Sequence, residues 1–311
     1  MGDSDRPILR VICGPTAAGK TRAAVVCARL APIVVISADS RQVYRGFDIG
    51  TAKPTLAQRA AVPHAGLDVL APTERASAAW WAARADAWIR EAIASGRTPL
   101  VVGGTGLYLR ALFDGLFPEP PMDPEARRAL AATLAPLPVA ELRRRVTALD
   151  PARAHLGRTQ LLRAIEVATL TGRRVSDLHR EPRPATPWRA RYLVVDPGVT
   201  LAGQIEARVS AMLAEGWPNE VRVLARAVPA EAPAWNASGY RTIRSMVAGE
   251  LTSAQARERV IIETRQYAKR QRTWFRHQLT DGEVRHLDPR GPEAPAALAA
   301  WFTAPGDGEA R

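Results

Sequence analysis

Cysteine is almost absent from this 311-residue chain, which carries only Cys13 and Cys27. Two are too few for the disulfide framework of a small secreted domain, and the five histidines show no zinc-ligand spacing with them. Both cysteines therefore read as small buried hydrophobes. Long apolar runs are missing as well, and none approaches the roughly 20 residues that span a bilayer. The stretch Met1 to Arg6 is polar and acidic, without the charged n-region and apolar h-region of a secretory signal. These absences predict a cytoplasmic protein that meets no membrane. Acidic charge is also in deficit, with 31 Asp and Glu against 43 Lys and Arg, a formal net charge of +12. An excess of that size attracts a polyanion before any specific contact forms, so nucleic acid becomes a candidate partner. Arginine is spread along the whole chain, however, and a generally Arg-rich composition explains the same number.

Apolar residues are plentiful, at 47%, enough for one large core and a smaller appended domain. The first third alternates apolar runs with helical segments, the pattern of a parallel sheet with crossover helices. Strands are expected over Pro7–Cys13, Ile33–Ser37 and Pro99–Val102, with helices over Lys20–Leu30 and Ala76–Ser95. In the second of these helices Trp80, Trp81, Trp88 and Ile89 mark an apolar stripe expected to face the core. The proline-rich stretch Leu116–Asp123 reads as a boundary, after which Pro124–Thr171 is purely helical, with Asp123-Pro124 and Asp150-Pro151 as helix starts. A strand returns at Tyr192–Val195, and a long helix covers Ser253–Gln278. The expected organisation is a discontinuous core over 1–120 and 188–290, a helical insertion over 121–187 and a peripheral tail over 291–311.

Between the first strand and the first helix lies Gly14-Pro15-Thr16-Ala17-Ala18-Gly19-Lys20-Thr21, which satisfies G-x-x-x-x-G-K-[ST] in the required context. Its amides can curl around phosphate oxygens, Lys20 adds a point charge, and the Thr21 hydroxyl can ligate Mg²⁺. The fold class is thus α/β, a P-loop NTPase-like parallel sheet with an inserted all-helical domain. The loop does not say what happens to the phosphate. A kinase or ATPase usually ends a later strand in a Mg²⁺-binding Asp, whereas the strand Pro99–Val102 runs into Gly103-Gly104-Thr105-Gly106. The Asp at a strand end near the loop is Asp39, by spacing a metal ligand, a helix cap or a general base.

Several segments together resemble the tRNA dimethylallyltransferase family. They are the loop, D-S-R-Q-V-Y-R-G-F-D-I-G-T-A-K-P from Asp39 to Pro54, G-G-T-G-L-Y-L from Gly103 to Leu109, and R-A-I-E-V from Arg163 to Val167. Further on come E-G-W-x-x-E-V from Glu215 to Val221, G-Y-R from Gly239 to Arg241, and T-R-Q-Y-A-K-R-Q-R-T-W-F-R from Thr264 to Arg276. The resemblance implies transfer of a dimethylallyl group from dimethylallyl pyrophosphate to N6 of the adenosine 3′-adjacent to the anticodon, in tRNAs reading codons that begin with U. The loop residues Gly14 to Thr21 would then hold a leaving pyrophosphate with Mg²⁺, and the helical insertion would grip the anticodon stem-loop. Under the same resemblance Asp39 takes the proton from the adenine amine, and Thr105 lies near the acceptor nucleotide, where it can equally cap a helix. Catalysis would thus rest on Asp39, Thr105 and Lys20.

The last long helix sets Arg265, Lys269, Arg272 and Arg276 along one face. The resemblance suggests that Arg265 reaches pyrophosphate and that the others meet phosphodiesters. Ser40 and Gln42 are candidates for the adenine edge. With them Arg41, which alone reads as a solvated charge, Arg127, Gln160 and Arg163 complete the expected tRNA contacts, and the family suggests a monomer. The chain departs from the family pattern before Arg163, where members commonly carry an Asn-Asp pair and a further Arg, and this one has Leu156-Gly157 and Gln160. After Pro63-His64 the usual second His is Ala65. Competing readings are a P-loop small-molecule kinase, a prenyltransferase acting on free AMP, and a non-catalytic RNA-binding protein.

Overall fold

A computed structural model describes residues 6–117, 119–279 and 283–305. The readings made above for residues 1–5, for Pro118 and for the end of the tail lie outside them. The chain forms two compact units, one from the described residues up to Asp114 and from Thr186 onward, the other over Gly115–Ala185.

In the first unit the chain runs β1 (Ile8–Cys13), α1 (Lys20–Cys27), β2 (Ile33–Ala38), α2 (Leu56–Ala61), β3 (His64–Ala65), α3 (Ala78–Ala94), β4 (Thr98–Gly103) and α4 (Gly106–Phe113). The second unit holds α5 (Pro124–Leu134), α6 (Val139–Leu149), α7 (Arg158–Thr171) and α8 (Val175–Leu178). The first resumes with β5 (Arg189–Val195), α9 (Leu201–Ala214), α10 (Trp217–Ala227), α11 (Tyr240–Val247), α12 (Ser253–Gln278), β6 (Glu283–Leu287) and α13 (Ala294–Thr303).

The six strands make one parallel sheet in the order β3-β2-β4-β1-β5-β6. Val11, Ile12, Leu100 and Val101 in the central strands are fully buried. Covered on both faces, these strands read as continuous apolar runs rather than alternating ones. The order has a direct consequence for function. Because β2, β4 and β1 are neighbours, the loops that leave their C-terminal ends meet at one edge of the sheet, where open α/β sheets bind ligands.

Trp81 of α3 is fully buried, stacks on Tyr108 with ring centroids 4.7 Å apart, and donates its indole N–H to the Ser37 carbonyl at 3.0 Å. Trp88 and Ile89 join the core, but Trp80 is only half-buried. The expected peripheral tail is corrected more fully. Within 291–311, α13 buries Trp301 and Phe302 in a core cluster with Ala23, Ala24 and Cys27 of α1, and just before it, inside the expected core, residues 283–287 form the edge strand β6.

In the helical unit the Asp123 carboxylate caps α5 by accepting from the Glu125 and Ala126 amides at 3.2 and 3.0 Å, with Pro124 in the first turn. Leu134, Leu142, Val146, Leu161, Ala164 and Ile165 close its core. Asp150-Pro151 differs from expectation. It opens only a short turn over Pro151–Arg153, and the buried Asp150 carboxylate accepts from the Ser176 amide at 3.0 Å.

Candidate active site

The phosphate loop leaves β1 at Gly14, whose φ is +143° and where a Cβ would stand 2.1 Å from the Val195 carbonyl oxygen. No side chain fits that approach, so glycine is required there. Gly19, at φ 92°, delivers the loop into the N-terminus of α1, whose free amides favour an anion. The Lys20 ammonium donates to the Gly14 and Pro15 carbonyls at 3.1 and 2.8 Å. Burial first, and the nearby Arg208 charge second, pull Lys20 down to about 8, against a smaller opposing pull from Asp39.

At the end of β2, Asp39 uses one carboxylate oxygen to accept from the Arg41 and Gln42 amides at 2.8 and 3.3 Å. These bonds fix its direction, while its second oxygen meets no hydrogen-bond donor among the described residues. Thr105 makes no side-chain capping bond at α4. Its hydroxyl instead accepts from the Ser40 amide at 3.0 Å, which fastens the β4 turn to the Asp39 segment. The Gln42 amide is also committed internally, since its nitrogen donates to the Thr51 and Ala52 carbonyls at 3.1 Å each. Gln42 therefore shapes the segment 42–52 while its side chain still lines the cavity that the phosphate loop and Asp39 border.

That segment is anchored from below. Lys53, 8% exposed, donates to the Tyr44 carbonyl at 2.7 Å and pairs with Asp48 and Asp68, each at 2.5 Å. Burial alone would raise the Asp68 carboxyl, but hydrogen bonds from Lys53 and Arg59 outweigh it and hold Asp68 below the usual carboxylate range. Glu220 of α10 accepts from the Asp48 and Ile49 amides at 3.0 and 2.7 Å and from the Tyr240 hydroxyl at 2.6 Å. A half-buried carboxylate that satisfies three donors at once pins a loop that has no regular structure of its own.

Between these parts lies a cavity of about 980 Å³ lined by Thr16 to Thr21, Asp39, Gln42, Arg208, Tyr267 and Gln271, among others. A recess of about 60 Å³ adjoins it beside Asp39 and Arg41, walled by Ile205, Val209, Met212, Trp217 and Val260. The loop side of the site is thus cationic and amide-rich, and the recess, which also takes Thr16, Asp39 and Arg208 into its wall, is the more apolar side. The arrangement suits an anionic group carrying a short hydrocarbon. Among the described residues no three His, Cys, Asp or Glu gather as a metal site. A divalent ion would therefore take the Thr21 hydroxyl, ligand oxygens and water, a donor set that fits Mg²⁺.

Not every expected residue reaches the cavity. Gly14 and Pro15 form the base of the loop, and Ser40 and Thr105 stand behind Asp39. Arg265 is not a lining residue and pairs with Glu206 of α9; Arg272 pairs with Asp196. In the helical unit Arg127 and Arg163 both clasp Glu166 and Glu119, so their guanidinium groups serve that unit's own ion network, while Gln160 is exposed. The cation that does face the loop was missed. Arg208, on α9, has its charge lowered in stability by burial and favoured by Asp39. Its signal was available, because Arg208 shares the apolar face formed by Ile205, Val209 and Met212. Lys53 and Gln271 lie within segments that carry the family resemblance, but nothing in those segments showed what either side chain would bond to.

Comparison with known proteins agrees with this geometry. The IPP transferase family matches over residues 42–278. A protein of Stenotrophomonas maltophilia (strain R551-3), named tRNA dimethylallyltransferase, is 42% identical over 93% of this chain and 95% of its own. The crystal structure of a full-length tRNA isopentenylpyrophosphate transferase from Bacillus halodurans matches with a TM-score of 0.67 at 30% identity, covering 96% of this chain and 97% of the other. A eukaryotic dimethylallyltransferase acting on tRNA shares the fold, with a TM-score of 0.74 at 24% identity over 94% and 77% of the two chains. With the family matched over most of its length and close relatives along nearly all of it, this chain is a member of the IPP transferase family.

Proposed function

We propose that this enzyme transfers the dimethylallyl group of dimethylallyl pyrophosphate to N6 of an adenosine in tRNA, the one 3′-adjacent to the anticodon in tRNAs reading codons that begin with U. The observation that carries the reading is that a phosphate-gripping loop and a directed carboxylate line one cavity with an apolar recess beside the carboxylate. A kinase has no use for that recess, and the relatives' names favour tRNA over AMP as acceptor.

The exocyclic amine of adenine is a poor nucleophile because its lone pair is delocalised into the ring. As N6 bonds to C1 of the allyl group, the C1–O bond breaks and its electron pair leaves on pyrophosphate. Loop amides and the Lys20 ammonium stabilise that departing charge, in the manner of any preorganised anion hole, and Arg208 adds to it. Bound through Thr21 and the pyrophosphate, Mg²⁺ would supply further neutralisation of the leaving group. The N6 proton passes to the unoccupied oxygen of Asp39, which its two backbone donors hold in line. Such a base contributes about 10²–10⁴-fold. An adenine within a stacked loop must be splayed out to reach Asp39, at a cost of a few kcal/mol. The family pattern supports a cytoplasmic monomer that binds the anticodon stem-loop with its helical unit.

The test is transfer of labelled dimethylallyl pyrophosphate by the purified protein with Mg²⁺, offered unmodified tRNA, AMP or no acceptor, with ATP consumption followed in parallel. Label in tRNA alone is expected. ATP consumed with no label in either acceptor would overturn the reading in favour of a kinase.

A further inference from the structure

The long helix α12 carries a buried amide that the reaction as described does not use. Gln271 is 6% exposed, one of the few polar side chains enclosed to that degree. Its Oε1 accepts from the Thr16 amide of the phosphate loop at 2.8 Å, and its Nε2 donates to the Gly104 carbonyl at 2.9 Å. Since one partner is a donor and the other an acceptor, the orientation of the amide is fixed by the bonds themselves.

Those two partners belong to different halves of the site. Thr16 follows β1 and sits where a leaving pyrophosphate would be held, whereas Gly104 follows β4 and precedes Thr105. The strands pair only as far as Cys13 and Gly103; beyond that register the Gly14 carbonyl still lies against Gly104, and Gln271 is hydrogen-bonded to both loops. The neighbouring chain is cut to admit it. A Cβ on Gly104 would lie 2.3 Å from Gln271 Nε2, and one turn further along α12 a Cβ on Gly106 would lie 2.2 Å from the Trp274 ring. Gln271 and Trp274, one turn apart, thus place one helical face against Gly104 and Gly106 in turn.

We infer that Gln271 is a positioning residue that holds the pyrophosphate loop in register with the acceptor turn, so that the allylic carbon forms beside the adenine amine rather than beside water. The inference rests on the transfer reaction proposed above. Each substrate would still bind its own half without this bridge. What would suffer is the alignment of the two, and a displacement of about 1 Å can cost on the order of 10²-fold in rate. An allyl group that ionises out of register meets water instead: C1–O breaks, a water oxygen bonds to C1, pyrophosphate leaves and a proton goes to solvent, giving an alcohol.

Gln271→Met keeps the length and volume of the side chain and removes both hydrogen bonds. Gly104→Ala attacks the same bridge independently, by pushing Nε2 from its place. With folding checked by thermal melting, labelled dimethylallyl pyrophosphate and tRNA are supplied, and both labelled tRNA and labelled alcohol are counted. Either variant is expected to lower kcat for transfer by about 10- to 100-fold with KM for both substrates held within about threefold, and to raise the ratio of alcohol to modified tRNA. The pair combined should cost little more than one alone, since both break the same bridge. A normal transfer-to-alcohol ratio in Gln271→Met, a loss confined to KM, or additive losses in the double variant would overturn the inference while leaving the reaction intact. Absence of label in tRNA with the parent enzyme would overturn the reaction and the inference with it.

Discussion

Asp39 is held by two backbone amides on one oxygen and by no described hydrogen-bond donor on the other, which makes a sharp substitution available. Asn at this position keeps an oxygen for the Arg41 and Gln42 amides but cannot take a proton, so the segment should stay in place while the base is lost. Asp39→Asn is expected to lower kcat for prenyl transfer by at least about 10²-fold with tRNA affinity nearly unchanged, measured by single-turnover labelling beside filter binding. Equal turnover would remove Asp39 as the base. The arginines separate in the same way. Arg208 lines the cavity and feels the Asp39 charge, whereas Arg265 lies outside the cavity, paired with Glu206. Arg208→Gln should cut kcat/KM for dimethylallyl pyrophosphate by about 10²-fold, as loss of one preorganised donor to a departing charge does. Arg265→Gln should stay within about twofold, because exposed ion pairs contribute little. If the two variants behaved alike in a substrate titration, the division of labour drawn between them would fail.

At the scale of elements, the cation stripe on α12 is half what its spacing promised. Arg265 and Arg272 are matched by acids, while Lys269 and Arg276 are exposed and form no ion pair with a described residue. Of the stripe, Lys269 and Arg276 are thus the residues available to a phosphodiester. Lys269→Ala or Arg276→Ala should each reduce the slope of log affinity for tRNA against log salt by about 1, and Arg272→Ala should leave it nearly unchanged, as read by filter binding across a salt series. An unaltered slope in all three would mean that this face meets no RNA. The same helix shows what a sequence can and cannot carry. Its extent was legible because twenty-six residues without Gly or Pro favour nothing else. Strands β1, β2 and β4 were legible because burial on both faces leaves unbroken apolar runs. The tail was not, because Pro, Gly and Ala look like coil until Trp301 and Phe302 find α1 to pack against. Nor was Lys53 foreseen, since a lysine in a polar loop looks solvated unless Asp48 and Asp68, one of them fifteen residues away, are known to converge on it. The loop and Asp39 were readable because a short local pattern suffices for each. Arg208 was hinted at by its place on the apolar face of α9, whereas Gln271 acts across the fold and could be seen only once α12 was set against the ends of the strands.

For the molecule as a whole, a net charge of +12 favours an anionic partner but leaves the folded chain repelling itself more as carboxylates are neutralised. The helical unit concentrates that problem at Glu166, the acid clasped by both Arg127 and Arg163. Burial there would raise its carboxyl, and the two arginine hydrogen bonds outweigh burial and hold it below the ordinary glutamate value. An acid whose folded value is depressed adds stability above its unfolded value, near 4.3 for glutamate, and loses that contribution as pH falls toward the folded value. Protonation would also leave two part-buried guanidinium groups with only Glu119 between them. Hydrogen exchange followed over Gly115–Ala185 should therefore accelerate as pH drops below about 4, after correction for the intrinsic rate. In Glu166→Gln, which cannot titrate, protection should be lower at neutral pH and should lose this part of its acid dependence. If parent and variant kept parallel profiles down to pH 3, the Arg127–Glu166–Arg163 clasp would carry no weight in the stability of the helical unit.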